Sequence, residues 1–433
     1  MRHNNFGLAL ALAGAVTLTT WASGKDQYEV WAIDQSNSPG RTFGGTLYIW
    51  DGDALENLAG VSAEPEKIDL GGDAAALCFA RTGANPVRPH MMAINTSQTH
   101  AIISFVASGH VLFLDATTRQ PVACFRMSVG DAGARQAHMA TPSPDETYVT
   151  VANQNGKLFE RILTNYATNT FLHDTDATLN LATCITPNGL PCQAPLLRPD
   201  NAPICPITES TSHYTFVTLR GGGLFVVDST ASPMKIVAEY DDHTVHGNGC
   251  VGAEVPGKMY IDAGGGTAAR LHQAELYAFP VTGFSSANPP NTPATRLVLS
   301  DPSEGADAHG ATLVKHLRYL WLADRGRNFL WVIDTASDAI VNTIPLEGDV
   351  SDDPTPDLLM VSPNGSHGFM SLRGPIPLTA DPHVSTGSTP GVGILKVTQG
   401  GRAAKFEAVA RASNIDALGI ERADVHALTI RLK

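Results

Sequence analysis

The feature that most constrains this chain is a unit of four short apolar segments that recurs from residue 90 onward. Each segment runs for about six residues, is rich in Val, Ile, Phe and Tyr, and is bounded by turn-forming residues. One copy begins at His309 and reads HGATLVKHLRYLWLADRGRNFLWVIDTASDAIVNTI. Because such a four-stranded unit cannot bury its faces alone, the repeat predicts several units stacked around an axis.

The two ends of the chain supply complementary parts of one further unit. The final segment, ADVHALTIRLK, matches the first strand of a unit and then stops, whereas YEVWAIDQ, GGTLYIWDGDAL and EKIDL near the start match strands two to four. Pairing of the two ends would close the ring without a free sheet edge. Together with six internal units, this predicts an all-β fold: a seven-bladed β-propeller with four-stranded blades, the first blade completed by the C-terminal strand. The insertions around residues 174–204 and 264–272 leave six or eight blades open as alternatives.

Three stretches resemble the YVTN-type β-propeller repeat family: PSPDETYVTVANQNGKL, ISFVASGHVLFLDATT and WLADRGRNFLWVIDTASDAIVNTI. The resemblance covers most of the chain and implies the propeller fold. It implies no particular activity, because the family includes enzymes, binding proteins and scaffolds.

Residues 1–22 are predicted to be a secretory signal peptide. Arg2 and His3 form a basic start, FGLALALAGAV is a short apolar core, and Thr20-Trp21-Ala22 surrounds a cleavage point. The apolar run is too short to span a bilayer, so no membrane insertion is expected after cleavage. Residues 23–433 are then predicted to form one propeller domain in the periplasm or outside the cell.

Charge and cysteine usage narrow the class of partner and the compartment. The formal net charge is −13 with no Lys/Arg cluster, which disfavours a nucleic-acid partner. Six cysteines without a CxxC motif fit an oxidising compartment. Cys184 and Cys192 bracket the turn-rich segment ITPNGLP, which a disulfide could hold. Cys78–Cys124 and Cys205–Cys250 are possible further pairs, but spacing alone leaves the connectivity open.

Histidine opens the first strand in five of the seven units, with Cys205 and Asp357 at this position in the other two. The first strand of a propeller blade lines the central channel, so these side chains are expected to meet at one mouth of the channel. Imidazole nitrogens completed by a carboxylate suit copper or zinc, and a similar ring of channel histidines is found in copper-bearing propellers of periplasmic enzymes. The candidate metal ligands are His90, His138, His246, His309, His426 and Asp357.

Other polar residues near these strands have candidate supporting roles. Asp307 and Asp424 each lie two residues before a histidine and could orient the imidazoles or add ligands. Arg88 and Arg135 lie just ahead of inner strands and could bind an anionic substrate. The imidazoles could instead bind an organic anion, or simply hydrogen-bond the backbone of neighbouring blades, as buried polar groups require.

These observations favour an exported propeller that binds copper, zinc or a small ligand through the histidine ring, as a metal-dependent oxidoreductase or a metal-handling protein. One alternative is a non-catalytic scaffold whose loops, such as 174–204 and 376–390, bind a small ligand or a periplasmic protein. The other is a metal-independent lactonase-like enzyme or a dehydrogenase subunit. The sequence offers no nucleophile or acid–base pair that would decide whether the chain is an enzyme.

Overall fold

A computed structural model describes residues 27–58, 64–266, 270–287, 292–376 and 386–433. The predicted signal peptide, residues 1–22, lies outside the described residues, as does most of the predicted 376–390 loop. The described residues form seven antiparallel sheets arranged as the blades of a propeller, which confirms the predicted fold and blade number. Among them, no helix is long and apolar enough to cross a membrane.

Blade 1 joins the two ends of the chain. It consists of β1 (Tyr28–Asp34), β2 (Thr46–Asp51), β3 (Glu66–Asp69) and, innermost, the C-terminal strand β29 (Val425–Leu432). Strands β1 and β29 pair antiparallel from Tyr28↔Leu432 to Asp34↔Val425. An ion pair between Arg431 and Glu29, at 3.2 Å, ties the same two strands together. The ring is therefore closed by hydrogen bonds and charge between residues that are distant in sequence.

The other six blades follow the chain in order, each running from the axis outward. Blade 2 contains β4 (Pro89–Ile94), β5 (His100–Phe105), β6 (His110–Asp115) and β7 (Pro121–Arg126). Blade 3 contains β8 (Ala137–Pro142), β9 (Tyr148–Asn153), β10 (Leu158–Asn165) and β11 (Thr170–His173), with the short β12 (Leu179–Asn180) also paired to β10. Blade 4 contains β13 (Pro203–Thr208), β14 (Tyr214–Leu219), β15 (Leu224–Asp228) and β16 (Lys235–Tyr240).

The second half of the ring has the same plan. Blade 5 contains β17 (Gly252–Val255), β18 (Lys258–Gly264), β19 (Ala274–Pro280) and β20 (Arg296–Asp301). Blade 6 contains β21 (Ala308–Val314), β22 (Tyr319–Asp324), β23 (Phe329–Asp334) and β24 (Ala339–Pro345). Blade 7 contains β25 (Pro356–Val361), β26 (His367–Leu372), β27 (Gly391–Thr398) and β28 (Ala403–Arg411). Two helices, α1 (Gly52–Glu56) and α2 (Asp73–Thr82), follow β2 and β3.

Six of the seven inner strands share a break in their pairing that positions the site. In blade 6, Ala308 pairs with Asp324, but the next pair is Ala311 with Leu322, so two residues on β21 face one on β22. Such a bulge redirects side chains and often lies beside a functional site. Equivalent shifts in blades 1, 2, 3, 4 and 7 place six side chains at one level of the channel: His90, His138, Ile204, His309, Asp357 and His426.

Hydroxyl groups opposite the bulges connect neighbouring blades. Ser104 Oγ donates to the His138 carbonyl at 2.9 Å, and Ser371 Oγ donates to the His426 carbonyl at 2.6 Å. Thr218 Oγ1 makes the matching bond to Gly249 at 2.6 Å. Each bond joins the second strand of one blade to the inner strand of the next, or to the residues just ahead of it. The carbonyls of His138 and His426 are therefore held by the preceding blade.

All six cysteines form disulfides, as Cys78–Cys124, Cys184–Cys192 and Cys205–Cys250. The predicted Cys184–Cys192 bond is confirmed, and the two further pairs that spacing left open are present as well. Cys205 is therefore a disulfide sulfur next to the bulge residue Ile204, and it does not supply a thiolate to the ring in this state.

Candidate metal centre at the channel mouth

Four of the five predicted histidines form a continuous file across the channel mouth. His90 Nε2 and His138 Nε2 lie 3.2 Å apart. The ring centroids of His90 and His426 are separated by 4.0 Å, and those of His426 and His309 by 5.4 Å. These contacts join blades 3, 2, 1 and 6 through side chains alone, because their bulges lie at one level.

Asp357 meets one end of this file and forms with it a compact set of metal-binding groups. Its Oδ1 lies 3.2 Å from His309 Nε2, and its Oδ2 lies 3.7 Å from His426 Nε2. One ligand atom from each of the three residues lies within 4.8 Å of the other two. Nitrogen and oxygen ligands at 2.0–2.2 Å from a tetrahedral ion are separated by about 3.4 Å, so the observed spacing is close to that of a ligand set. The three side chains are 12%, 0% and 3% exposed for His309, Asp357 and His426.

Two guanidinium groups hold the carboxylates around this set. Arg373 donates to both oxygens of Asp424, at 2.6 and 2.9 Å, and to Asp357 Oδ2 at 2.9 Å. Arg325 pairs with Asp307, and its other end lies 3.6 Å from Asp357 Oδ1. Asp307 and Asp424, predicted to support the imidazoles, are therefore bound to the arginines that fix Asp357.

A glutamine connects the carboxylates to the file of imidazoles. Gln35 Nε2 donates to Asp424 Oδ2 at 2.9 Å, while Gln35 Oε1 lies 2.8 Å from His90 Nδ1. Since the amide oxygen can only accept, His90 carries its proton on Nδ1 and presents an unprotonated Nε2 to His138. His90 is thus held in the tautomer that offers a nitrogen lone pair to the channel.

Burial keeps the imidazoles of the file uncharged. Burial, together with the charge of Arg325, lowers the pKa of His309 to about 3. Burial also lowers the pKa of His138 to about 4 and the pKa values of His90 and His426 well below the usual value. Neutral imidazole is the form that binds a metal ion, so the file is ready for ligation at neutral pH.

Asp357 is held in its charged form. Burial acts to raise its pKa, but its interactions with His309 and with the guanidinium charges of Arg373 and Arg325 outweigh this effect and lower the pKa below its usual value. Among the described residues, Asp357 Oδ1 and His426 Nδ1 are buried and have no hydrogen-bond partner. Buried polar atoms normally have partners, so these two leave capacity for a further group.

The carboxylates around Asp357 are paired with guanidinium groups. Asp307, Asp357 and Asp424 contact Arg325 and Arg373, and the charge of Arg88 also acts on His90 and His138. The case for a metal ion at this place therefore rests on the spacing of the ligand atoms and not on an excess of charge.

The fifth histidine, His246, lies in a different environment. Its Nδ1 is 2.8 Å from Glu275 Oε2, and its backbone N–H donates to the Tyr277 hydroxyl at 3.2 Å. Strand β17 begins only at Gly252 and pairs with β18 without a register shift, so His246 precedes the inner strand instead of occupying a bulge. The structure does not bring His246 to the other four.

The two predicted anion-binding arginines also lie in different environments. Arg88 directly precedes β4, and its charge contributes to the lowered pKa values of His90 and His138, so it lies near the file. Arg135 donates to the Met127 carbonyl at 3.0 Å and serves the contact between blades 2 and 3.

Sequence reasoning missed Gln35, Arg325 and Arg373, which hold the ligands. Each directly follows the second strand of its blade, after β1, β22 and β26 respectively. A polar residue after the second strand therefore recurs in the repeat. The alignment that located the histidines could also have found these three residues.

Comparisons with known proteins identify the fold only. No model of a known protein family matches this chain, and no curated protein matches its sequence. A hypothetical selenium-binding protein from Sulfolobus tokodaii is similar in structure, with a TM-score of 0.61 at 10% identity, covering 95% of this chain and 94% of that one. A protein from Lactobacillus plantarum has a TM-score of 0.58 at 10% identity, covering 93% and 99% of the two chains. A candidate 6-phosphogluconolactonase from Bacteroides fragilis has a TM-score of 0.57 at 9% identity, covering 94% and 98%. The resemblance to YVTN-type repeats remains a prediction.

Proposed function

We propose that this chain is an exported β-propeller that binds copper or zinc at His309, Asp357 and His426, as a metal-handling protein or a metal-dependent oxidoreductase. One observation carries the proposal: a ligand atom from each of these three residues lies within 4.8 Å of the others at the channel mouth. His90 and His138 continue the file of imidazoles. Either could bind the ion as an additional ligand, in place of water or a small molecule.

The donor set fits this choice of metals. Three protein ligands, including two imidazoles and a carboxylate, are typical of catalytic zinc sites, which keep one position for water or substrate. Imidazole also binds copper, which forms stronger complexes than zinc with most nitrogen and oxygen ligands. A bound ion of either kind would act as a Lewis acid, and copper would add one-electron chemistry.

The state of Asp357 supports a cation at this place. Its carboxylate is charged, and its Oδ1 has no hydrogen bond within the described residues, so a metal ion would give this oxygen a partner.

The proposed location rests on the cysteines and the predicted signal peptide. Three disulfides involve every cysteine of the chain, a pattern typical of oxidising compartments. With the predicted signal peptide, this supports the periplasm or the cell exterior.

The test is the metal content of protein purified without chelators, measured by plasma mass spectrometry after loading with copper or zinc. We expect about one tightly held ion per chain in the wild type, as for other three-ligand sites. Asp357→Asn removes the anionic ligand with little change in shape and should lose that ion. His246→Ala is the matched control, because it removes an imidazole outside the file, and it should keep the ion. A wild type without stoichiometric metal, or an Asp357→Asn variant with full content, contradicts the proposal.

A binding scaffold is the second candidate, and the insertion between blades 3 and 4 favours it. Ile185 and Leu190, 61% and 40% exposed, lie within the segment closed by the Cys184–Cys192 disulfide, and Leu196, 88% exposed, follows it by four residues. If these side chains form one apolar patch, it would suit a protein contact. If this loop binds a partner in the native extract, Ile185→Asp with Leu196→Asp should abolish crosslinking to it, while His309→Ala should not.

A further inference from the structure

A second group of metal-binding side chains lies at the other end of the imidazole file. His138 Nδ1 is 3.7 Å from Cys205 Sγ, and Cys205 is bonded to Cys250. One ligand atom from each of His138, Cys205 and Cys250 lies within 4.8 Å of the other two. Cys205 is at the bulge of blade 4, and Cys250 lies two residues before the inner strand of blade 5, so three blades contribute one residue each.

The distances are close to those of a tetrahedral site. With metal–sulfur and metal–nitrogen bonds of about 2.3 and 2.05 Å, sulfur and nitrogen ligands are separated by about 3.6 Å. The observed separation is 3.7 Å. Two sulfur ligands must be about 3.8 Å apart, which requires that the disulfide first be broken. The Cα atoms of Cys205 and Cys250 are 5.0 Å apart, so side-chain rotation can supply this separation without a large backbone shift.

We propose that reduction of the Cys205–Cys250 disulfide creates a second metal site, in which both thiolates and His138 bind zinc or copper(I). A dithiol reductant supplies two electrons and two protons, the S–S bond breaks to give two thiols, and the reductant becomes a disulfide. Metal binding then releases the two thiol protons to solvent. The protein takes up this second ion only in its reduced form.

The chemistry of the ligands sets the metal class. Two thiolates and an imidazole are soft donors, which select zinc and copper(I) over magnesium or calcium. His138 is partly exposed, whereas Cys205 and Cys250 are 0% and 2% exposed, so a reductant and a metal ion would reach the sulfurs past His138. A fourth ligand would be water or a small thiol.

This second site uses none of the three ligands that carry the proposed function, although His138 is also a candidate additional ligand of the first site. The two sites have one point of contact, the 3.2 Å approach of His138 Nε2 to His90 Nε2. His138 can bind through Nδ1 while Nε2 keeps its contact with His90. Loading of the two sites can therefore be measured separately.

The experiment titrates the full mature chain with cobalt(II), which reports thiolate ligands by a charge-transfer absorption in the near ultraviolet. One sample is oxidised, and the other is reduced on an immobilised phosphine that is removed before cobalt is added. We expect the band, and one additional bound cobalt per chain, only in the reduced sample. No increase in bound cobalt on reduction overturns the proposal.

Paired variants assign the band to these residues. Cys205→Ser with Cys250→Ser should lose the band and the additional ion, while Cys184→Ser with Cys192→Ser, the matched control, should keep both. A band that persists in the first variant overturns the proposal.

His138→Ala decides the question if the first cysteine variant does not fold, because it leaves every disulfide in place. We expect it to weaken cobalt binding in the reduced sample at least about tenfold. Unchanged affinity overturns the proposal. Asp357→Asn should keep the thiolate band, which distinguishes failure of this site from failure of the first one.

Discussion

Asp357, on the inner strand of blade 7, and Asp262, on the second strand of blade 5, are both buried carboxyl groups, yet their pKa values move in opposite directions. Burial raises the pKa of Asp262 to about 8, despite hydrogen bonds from the backbone N–H groups of Cys250 and Val251. At Asp357, His309, Arg373 and Arg325 outweigh burial and lower the pKa. The comparison shows that neighbouring cations, and not burial, decide which side of the channel mouth holds a charge.

The two sides of the channel mouth also differ in the side chains that their bulges carry. On the side of blades 6, 7 and 1 they hold His309, Asp357 and His426. In blade 4 the bulge holds Ile204 with Cys205, and β17 of blade 5 pairs without a shift. A repeated backbone geometry therefore provides positions, and the side chains at those positions make one side of the mouth a candidate metal site.

The largest expected effect is on stability, from removal of the cation between the buried carboxylates. Arg373→Ala leaves Asp357 and Asp424 without their shared partner, and we expect a loss of about 3–5 kcal/mol in the free energy of unfolding. Arg220→Ala breaks an ion pair with Asp200 in which the arginine is 43% exposed, and should cost about 0–1 kcal/mol. Urea denaturation measures both. Equal losses would show that Arg373 has no special role at the mouth.

The next prediction concerns pH and the neutral carboxyl of blade 5. Because the folded pKa of Asp262 is raised above its unfolded value, its contribution to stability is complete below about pH 4 and is lost as pH rises toward 8. Across that window, the free energy of unfolding of the wild type should fall, relative to that of Asp262→Asn, by up to about 1.4 kcal/mol per pH unit.

Asp357→Asn provides the contrast. A carboxyl with a lowered pKa contributes stability above its unfolded pKa, and this is lost only as pH falls through the folded value. The difference in the free energy of unfolding between Asp357→Asn and the wild type should therefore not change between pH 5 and 8. Denaturation at several pH values measures this difference for both variants. The same pH dependence for Asp262→Asn and Asp357→Asn would contradict the assigned charges.

A smaller effect is expected on metal affinity. His309→Ala should weaken copper or zinc binding at least about tenfold, since it removes a ligand, while His246→Ala should leave the affinity within about twofold. Competition with a chromogenic chelator gives both values. Comparable losses in the two variants would place His246 in the site and undo the distinction between the two sides of the mouth.

The smallest effect is expected at the hydroxyl bonds between blades. Ser371→Ala removes the hydrogen bond to the His426 carbonyl, and Ser104→Ala removes the one to the His138 carbonyl. Each should cost about 1 kcal/mol of stability. Only Ser371→Ala should also lower the affinity for the first metal, because it supports a ligand of that site. Equal effects on affinity would indicate that all four imidazoles bind one ion.

The fold was predictable because it depends on a repeated pattern and on matching ends. The strand pairing of Tyr28–Asp34 with Val425–Leu432 follows from the two sequences that complete one unit. The bulges were not predictable, since a register shift leaves no mark in the alternation of apolar residues. For that reason His246, six residues before β17, was aligned with histidines that lie inside strands.

The partners of the candidate ligands could not be read from local sequence. Arg373 and Asp424 are 51 residues apart, and Gln35 and Asp424 are 389 apart, so only the closed ring brings them together. The charged state of Asp357 depends on contacts of this kind, and it becomes visible only once the blades are assembled.

The central claim is that a metal ion lies between His309, Asp357 and His426, and anomalous X-ray diffraction tests it most directly. Crystals of metal-loaded protein, measured above and below the copper or zinc absorption edge, should show one strong peak about 2.0–2.2 Å from atoms of all three side chains. Absence of a peak there, or a peak beside His246 instead, would contradict the claim.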